Sequence, residues 1–250
     1  MKISILTLFP KMFQGPFDHS IIKRARDNKI VNIELINIRN FGIGKHKVVD
    51  DKPYGGGTGM ILRVDVLKKT IDKVKVFSNK RREKVVLLTP TGNKFNQKIA
   101  ANFSRLDHLI LVCGHYEGID ARVEEFVDEK ISIGDFITTG GEIPAMLITD
   151  SVVRLIKGAL KEGVVSKESF SPYLEYPQYT KPRRYKNLRV PKILLSGNHS
   201  RIDKWQNAQS IRKTIKLRPD LLEKGVGRRS RNWQINIRGL GNIKSRHIID

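Results

Sequence analysis

Two runs of four residues, Val85-Val86-Leu87-Leu88 and Leu109-Ile110-Leu111-Val112, contain no polar side chain. A strand that is apolar on both faces has to be covered on both, which is the situation of central strands in parallel sheets flanked by helices. Three further stretches read as strands, Lys2 to Phe9, Asn32 to Ile38 and Lys130 to Thr138, and the two apolar runs sit within Lys84 to Thr89 and His108 to Cys113. Between them, Ser20 to Lys29, Val64 to Val76, Asn96 to Phe103 and Ala121 to Val127 space their apolar residues as helices do. Alternation of this kind predicts an α/β domain built on a mainly parallel sheet. The strongest helix is expected from Glu142 to Leu160, with Pro144 near its start and Met146, Leu147, Val153, Ile156 and Leu160 forming the buried stripe.

Residues 161–183 lack periodicity and hold Gly163, Pro172, Pro177 and Pro182, so they read as an interdomain linker or a loop that orders on binding. Downstream, Ser200-Arg201-Ile202-Asp203 has capping-box spacing and opens a helix expected to run to about Leu217, with Trp205, Ala208, Ile211 and Ile215 on one arc. This divides the chain into a domain over 1–160, the linker over 161–183, a small helical domain over 184–224, and a basic tail over 225–250 that reads as flexible.

Charge narrows the partners. The chain has 47 Lys+Arg against 25 Asp+Glu, a formal net charge of +22, and residues 161–250 alone hold 21 basic and 7 acidic side chains. Such an excess favours an extended polyanion through phosphate neutralisation and counterion release. The apolar opening from Ile3 to Phe9 is too short to span a membrane and lacks a cleavage pattern, so neither anchor nor signal peptide is expected and a cytoplasmic address follows. A single cysteine, Cys113, allows neither an intramolecular disulfide nor a cysteine-based zinc site, and no metal-ligand spacing is found.

Glycine-rich loops mark where chemistry belongs. Asp50-Asp51-Lys52-Pro53-Tyr54-Gly55-Gly56-Gly57-Thr58-Gly59-Met60 lacks the Gly-Lys-Ser/Thr ending of a phosphate-cradling loop and reads as a lid carrying two carboxylates. Three other loops, at 88–92, 114–120 and 132–142, follow expected neighbouring strands at their carboxyl ends, where open α/β sheets bind ligands. Their exposed backbone groups suit the edge of a purine, without choosing among nucleotide-bearing cofactors. His115, alone in its loop, reads as a structural hydrogen-bonding residue before it reads as a base. Cys113, ending an apolar strand, reads as a small buried hydrophobe. Arg154 lies in an otherwise apolar helical region, where a permanent cation calls for an anionic or carbonyl partner.

Five motifs taken in order, Pro-Tyr-Gly-Gly-Gly-Thr-Gly-Met at 53–60, Leu-Thr-Pro-Thr-Gly at 88–92, Gly-His-Tyr-Glu-Gly-Ile-Asp at 114–120, Ser-Ile-Gly-Asp-Phe-Ile-Thr-Thr-Gly-Gly-Glu-Ile-Pro-Ala-Met at 132–146 and Leu-Leu-Ser-Gly-Asn-His at 194–199, resemble the bacterial tRNA (guanine(37)-N1)-methyltransferases from Met1 to about Leu222. The resemblance implies a SPOUT-type α/β methyltransferase fold with a trefoil knot, contrary to the general rule that chains avoid knots. It implies S-adenosylmethionine held by Leu88, Thr89, Pro90, Gly114, Tyr116, Glu117, Gly118, Ile133, Gly134, Asp135, Phe136, Ile137, Thr138, Gly140, Gly141 and Pro144. It implies tRNA contacts at Asp50, Tyr54, Gly59, Glu175, Ser196, Asn198 and His199, Mg2+ as an auxiliary ion, and a homodimer with its active site at the subunit interface.

Guanine N1 carries a proton at neutral pH, so methylating it requires a base at N1 and a donor for the charge developing on O6. The resemblance assigns these roles to Glu168, standing where the family has an aspartate before Ser-Phe, and to Arg154. Two other readings compete: a noncatalytic RNA-binding relative, and a ribose 2′-O-methyltransferase of the same knotted class.

Overall fold

A computed structural model describes residues 1–76 and 82–225, with side chains through Leu222. The tail expected over 225–250 therefore lies, but for its first residue, outside the described residues. The chain divides after Glu162 into two compact units.

The first unit is built on five parallel strands, β1 (Lys2–Thr7), β2 (Asn32–Asn37), β5 (Glu83–Lys94), β6 (His108–Cys113) and β7 (Glu129–Ser132), in the order β2-β1-β6-β5-β7. A short antiparallel ribbon, β3 (Asp50–Asp51) with β4 (Ile61–Leu62), falls between β2 and β5 in sequence. The doubly apolar runs occupy the interior as their composition requires. Val86, Leu88, Leu109 and Leu111 face one core with α1 (Ser20–Asp27), α3 (Gln97–Phe103) and α4 (Glu142–Val153). Val85, Leu87, Ile110 and Val112 face the other with α2 (Val64–Val74) and the 3-10 turn Ala121–Phe126. Alternate side chains of a strand point to opposite faces, which is why one run feeds two cores.

Several boundaries differ from expectation, each for a local reason. β7 stops at Ser132 rather than Thr138, because the Ser132 hydroxyl donates to the Gly134 carbonyl and accepts the Gly134 N–H, turning the chain out of the sheet at φ +153°. β5 runs past Thr89 to Lys94: Leu88 and Asn93 both oppose Ile131, so residues 89–92 bow out and the strand rejoins β7. Gly92 permits the return, since a methyl there would lie 2.4 Å from the Ile131 nitrogen. α4 ends at Val153, where tighter bonds from the Leu155 and Ile156 amides to Val152 and Val153 take over before Gly158 at φ +91°. Its buried face is Ala145, Ile148, Thr149 and Val152, and Leu147, expected inside, is exposed with Ile143.

The second unit holds the hairpin β8 (Arg184–Tyr185) and β9 (Leu188–Arg189), then α5 (His199–Leu217) and α6 (Asp220–Gly225). α5 begins one residue before the expected Ser200: its cap is Asn198, whose side chain accepts the Arg201 N–H at 3.0 Å. Thr214 is its buried residue, while Ala208 of the expected arc is exposed. The hydroxyls of Ser210 and Thr214 tie Leu174 of the 161–183 segment to this helix.

Candidate active site

Because all five strands are parallel, the bow within β5 and the segments that follow β6 and β7 come to one edge. The bowed 89–92 segment, the loop after Cys113 and the loop after Ser132 together enclose a cavity of about 330 Å³. Of the sixteen cofactor residues expected from sequence, fifteen line it. Asp135 does not: its exposed side chain pairs with Lys94, because the Ser132–Gly134 turn carries it away from the cavity.

The loops are locked to each other through backbone. The Gly141 amide donates to the Gly114 carbonyl at 2.7 Å, and a methyl at Gly141 would lie 2.6 Å from Cys113 Cα. Tyr116 holds a left-handed conformation, φ 59°, and its hydroxyl accepts from Arg39 Nη2 at 3.1 Å. The 50–62 segment is stitched alongside, with the Glu117 amide donating to Met60, the Leu62 amide to Gly118 and the Asp120 amide to Leu62. This puts Gly59 hard against the Glu117 side chain, 2.3 Å from Cγ for an added methyl, whereas Tyr54 is fully exposed and Asp50 pairs with Leu62 in the ribbon.

Beneath the cavity lies a polar cluster that sequence reasoning missed. Glu142, only 1% exposed, opens α4, where the helix N-terminus favours an anion. Its Oε1 accepts from the Thr7 hydroxyl at 2.7 Å, and its Oε2 lies 3.6 Å from His115 Nδ1, beyond direct hydrogen-bond reach. That Nδ1 is buried with no hydrogen-bond partner among the described residues, and the ring packs on Phe9 and edge-on to Tyr116. A carboxylate in a helix's first turn was the available signal; the partnership of Thr7 and Glu142, 135 residues apart, left none. Burial, and then Glu142, push the Cys113 thiol well above its usual range, which agrees with a packing role. At the cavity rim the Arg122 guanidinium holds the Asp120 carboxyl below the usual range by two hydrogen bonds, keeping it an anion.

The remaining expected residues are shared between the two units. Arg154 ends α4 in the first unit and is half-buried. Glu168 follows the 3-10 turn Val165–Lys167 in the second unit. There the Glu175 amide donates to Ser169 Oγ, its carboxylate accepts from the Gln178 amide, and its carbonyl accepts from Lys213 Nζ. Ser196, Asn198 and His199 are exposed at the start of α5, Asn198 as its cap.

The family described as tRNA (Guanine-1)-methyltransferase TrmD matches residues 1–224. The chain belongs to it. Relatives named tRNA (guanine-N(1)-)-methyltransferase include those of Clostridium beijerinckii, 53% identical over 226 residues (90% of this chain, 93% of the relative), and Dictyoglomus turgidum, 50% identical over 226 residues (90% and 91%). The Staphylococcus epidermidis relative is 47% identical over 226 residues (89% and 91%). Membership of this tRNA methyltransferase family explains why the glycine loops gather at the sheet edge around one cavity, since a methyltransferase has to hold a donor.

The cavity fits that need: it offers backbone groups from three loops, a volume within the range of small-molecule sites, and an unpartnered buried imidazole nitrogen. Among the described residues no group of three or more His, Cys, Asp or Glu side chains gathers to hold a metal ion. No helix among the described residues is long and apolar enough to cross a membrane.

Proposed function

We propose that this protein transfers a methyl group to N1 of guanosine 37 in tRNA, next to the anticodon, using S-adenosylmethionine. The observation that carries the reading is the coincidence of the family's motif loops with the walls of a single cavity. When bound there, S-adenosylmethionine supplies an electrophilic methyl group. The backbone of Leu88, Gly114, Gly118, Ile133, Gly140 and Gly141 would hold it, and the apolar Pro90, Ile133, Ile137 and Pro144 would border it. Glu168 accepts the N1 proton of guanine, and Arg154 donates to O6 as negative charge develops there. Relative to aspartate, Glu168 keeps a carboxylate and adds a methylene that its loop has to absorb. Asp50, Tyr54, Gly59, Glu175, Ser196, Asn198 and His199 position the RNA.

The same reading takes the first unit as a trefoil-knotted SPOUT domain, for which the bowed 89–92 segment and the close passage of Gly141 over Cys113 and Gly114 are the support. It takes residues 161–183 as a lid, 184–224 as the tRNA-binding domain, and a cytoplasmic homodimer as the working form. Exposed Phe136, Ile137, Ile143 and Leu147 around the start of α4 support the dimer.

Incubation of the purified protein with labelled S-adenosylmethionine and unmodified tRNA carrying G37, followed by nucleoside mass analysis, is expected to give 1-methylguanosine. Glu168→Gln is expected to lose turnover while binding the cofactor normally. Formation of 2′-O-methylguanosine, or no product, overturns the reading, and full turnover by the variant removes Glu168 from the reaction.

A further inference from the structure

From Tyr176 to Ile202 the chain has no acidic side chain, and within that stretch Lys181, Arg183, Arg184, Lys186, Arg189 and Lys192 crowd around one hairpin. Every residue from Lys181 to Arg189 is exposed. An exposed charged stretch would ordinarily be an irregular loop, yet this one is ordered as two paired strands closed by Lys186-Asn187, with Lys186 held at φ +54°. The register opposes Arg184 to Arg189 and Tyr185 to Leu188. Cross-strand partners share a face and successive residues alternate, so one face presents two arginines and the other a tyrosine beside a leucine.

Both faces are unfavourable for an isolated molecule. Like charges directly opposite in a ribbon repel, and among the described residues no carboxylate pairs with either arginine. Arg184 Nε instead donates to the Lys186 carbonyl at 2.9 Å, which fixes the plane of its guanidinium. On the opposite face Tyr185 is 62% and Leu188 73% exposed, and Lys186 Nζ lies 5.7 Å from the Tyr185 ring centroid. Paired guanidiniums with no counter-ion, backed by an exposed aromatic ring, complement one class of partner: a strand of phosphates carrying unstacked bases.

We infer that the β8–β9 hairpin is an RNA-docking element, with Arg184 and Arg189 gripping backbone phosphates and Tyr185 stacking on an unpaired base. This deepens the proposed function and rests on its RNA substrate. The hairpin meets phosphates and ring faces, so it adds affinity without base identity.

The test is binding of unmodified tRNA to the full chain, read by fluorescence anisotropy between roughly 50 and 200 mM salt, alongside melting temperature and cofactor affinity. Arg184→Gln/Arg189→Gln is expected to raise Kd at least about tenfold and to flatten the salt slope by about 2, one for each phosphate no longer neutralised. Arg184→Lys/Arg189→Lys is expected to keep most of that slope. Tyr185→Ala is expected to raise Kd about tenfold with the slope unchanged, and Tyr185→Phe to bind as wild type. All four are expected to keep the wild-type melting temperature and cofactor affinity, because the residues are exposed.

Wild-type Kd and slope in the Gln pair overturn the inference. So does competition in which poly-glutamate displaces tRNA from wild type and from the Gln pair differently while Tyr185→Ala has no effect, since that assigns the hairpin to an acidic protein. Formation of 1-methylguanosine with indifferent hairpin variants removes the docking element and leaves the reaction. Hairpin-dependent tRNA binding with no 1-methylguanosine does the reverse.

Discussion

Gly141→Ala tests the joint on which the cavity depends. The added methyl would stand 2.6 Å from Cys113 Cα and 2.8 Å from the Gly114 nitrogen, both backbone atoms that cannot swing aside. Reaching the roughly 3.5 Å of ordinary carbon contact requires the two segments to part by about 0.9 Å. That motion would carry the Gly141 N–H to Gly114 O=C bond, now 2.7 Å, to about 3.6 Å, outside hydrogen-bond range. Overpacking costs about 1–3 kcal/mol and loss of the bond about 1 kcal/mol, together about 2–4 kcal/mol. At about 2–4 °C per kcal/mol for a chain of this size, the melting temperature is expected to fall by about 4–16 °C. S-adenosylmethionine affinity, measured by calorimetry below the transition, is expected to drop by more than about tenfold, because two of the three loops move apart. Wild-type melting and wild-type cofactor affinity in Gly141→Ala would refute the reasoning.

Two more outcomes follow from buried groups. Cys113 is 1% exposed with its thiol pushed up by burial, so a thiol reagent is expected to label it only as fast as the domain opens; rapid labelling of the native protein would contradict its place in the core. His108 is buried between Ser4 Oγ at 2.9 Å and Glu83 Oε2 at 2.6 Å, and burial lowers its pKa below the ordinary 6.5 by more than Glu83 raises it. The unfolded chain then takes up a proton first on acidification. His108 thus stabilises fully above the unfolded value, and that stability is lost as the pH falls from about 6.5 toward the folded value. The melting temperature is expected to decline more steeply between about pH 7 and pH 5 in wild type than in His108→Gln, and parallel profiles would remove His108 as the cause.

The chain's class was legible from its residues alone. Val85 to Leu88 and Leu109 to Val112 had to be central because no other environment accepts apolar side chains on both faces, and both runs are buried. That loops at strand ends are where a ligand is to be sought followed from the glycines, and fifteen of the sixteen residues that the family resemblance implied for the cofactor line one cavity. What sequence could not give was neighbourhood across long separations. That β6 lies between β1 and β5 is a matter of strand order, which periodicity does not encode. The return of β5 after Pro90 depends on Gly92 fitting against Ile131, and the end of β7 on a hydroxyl bond spanning two residues. Thr7, Glu142 and His115 become one cluster only when β1, β6 and α4 are assembled, just as Arg39 meets Tyr116 from 77 residues away. Side-chain chemistry and local period are properties of the chain, whereas a site is a set of distances, and those are fixed only when the sheet is ordered and its two cores are packed.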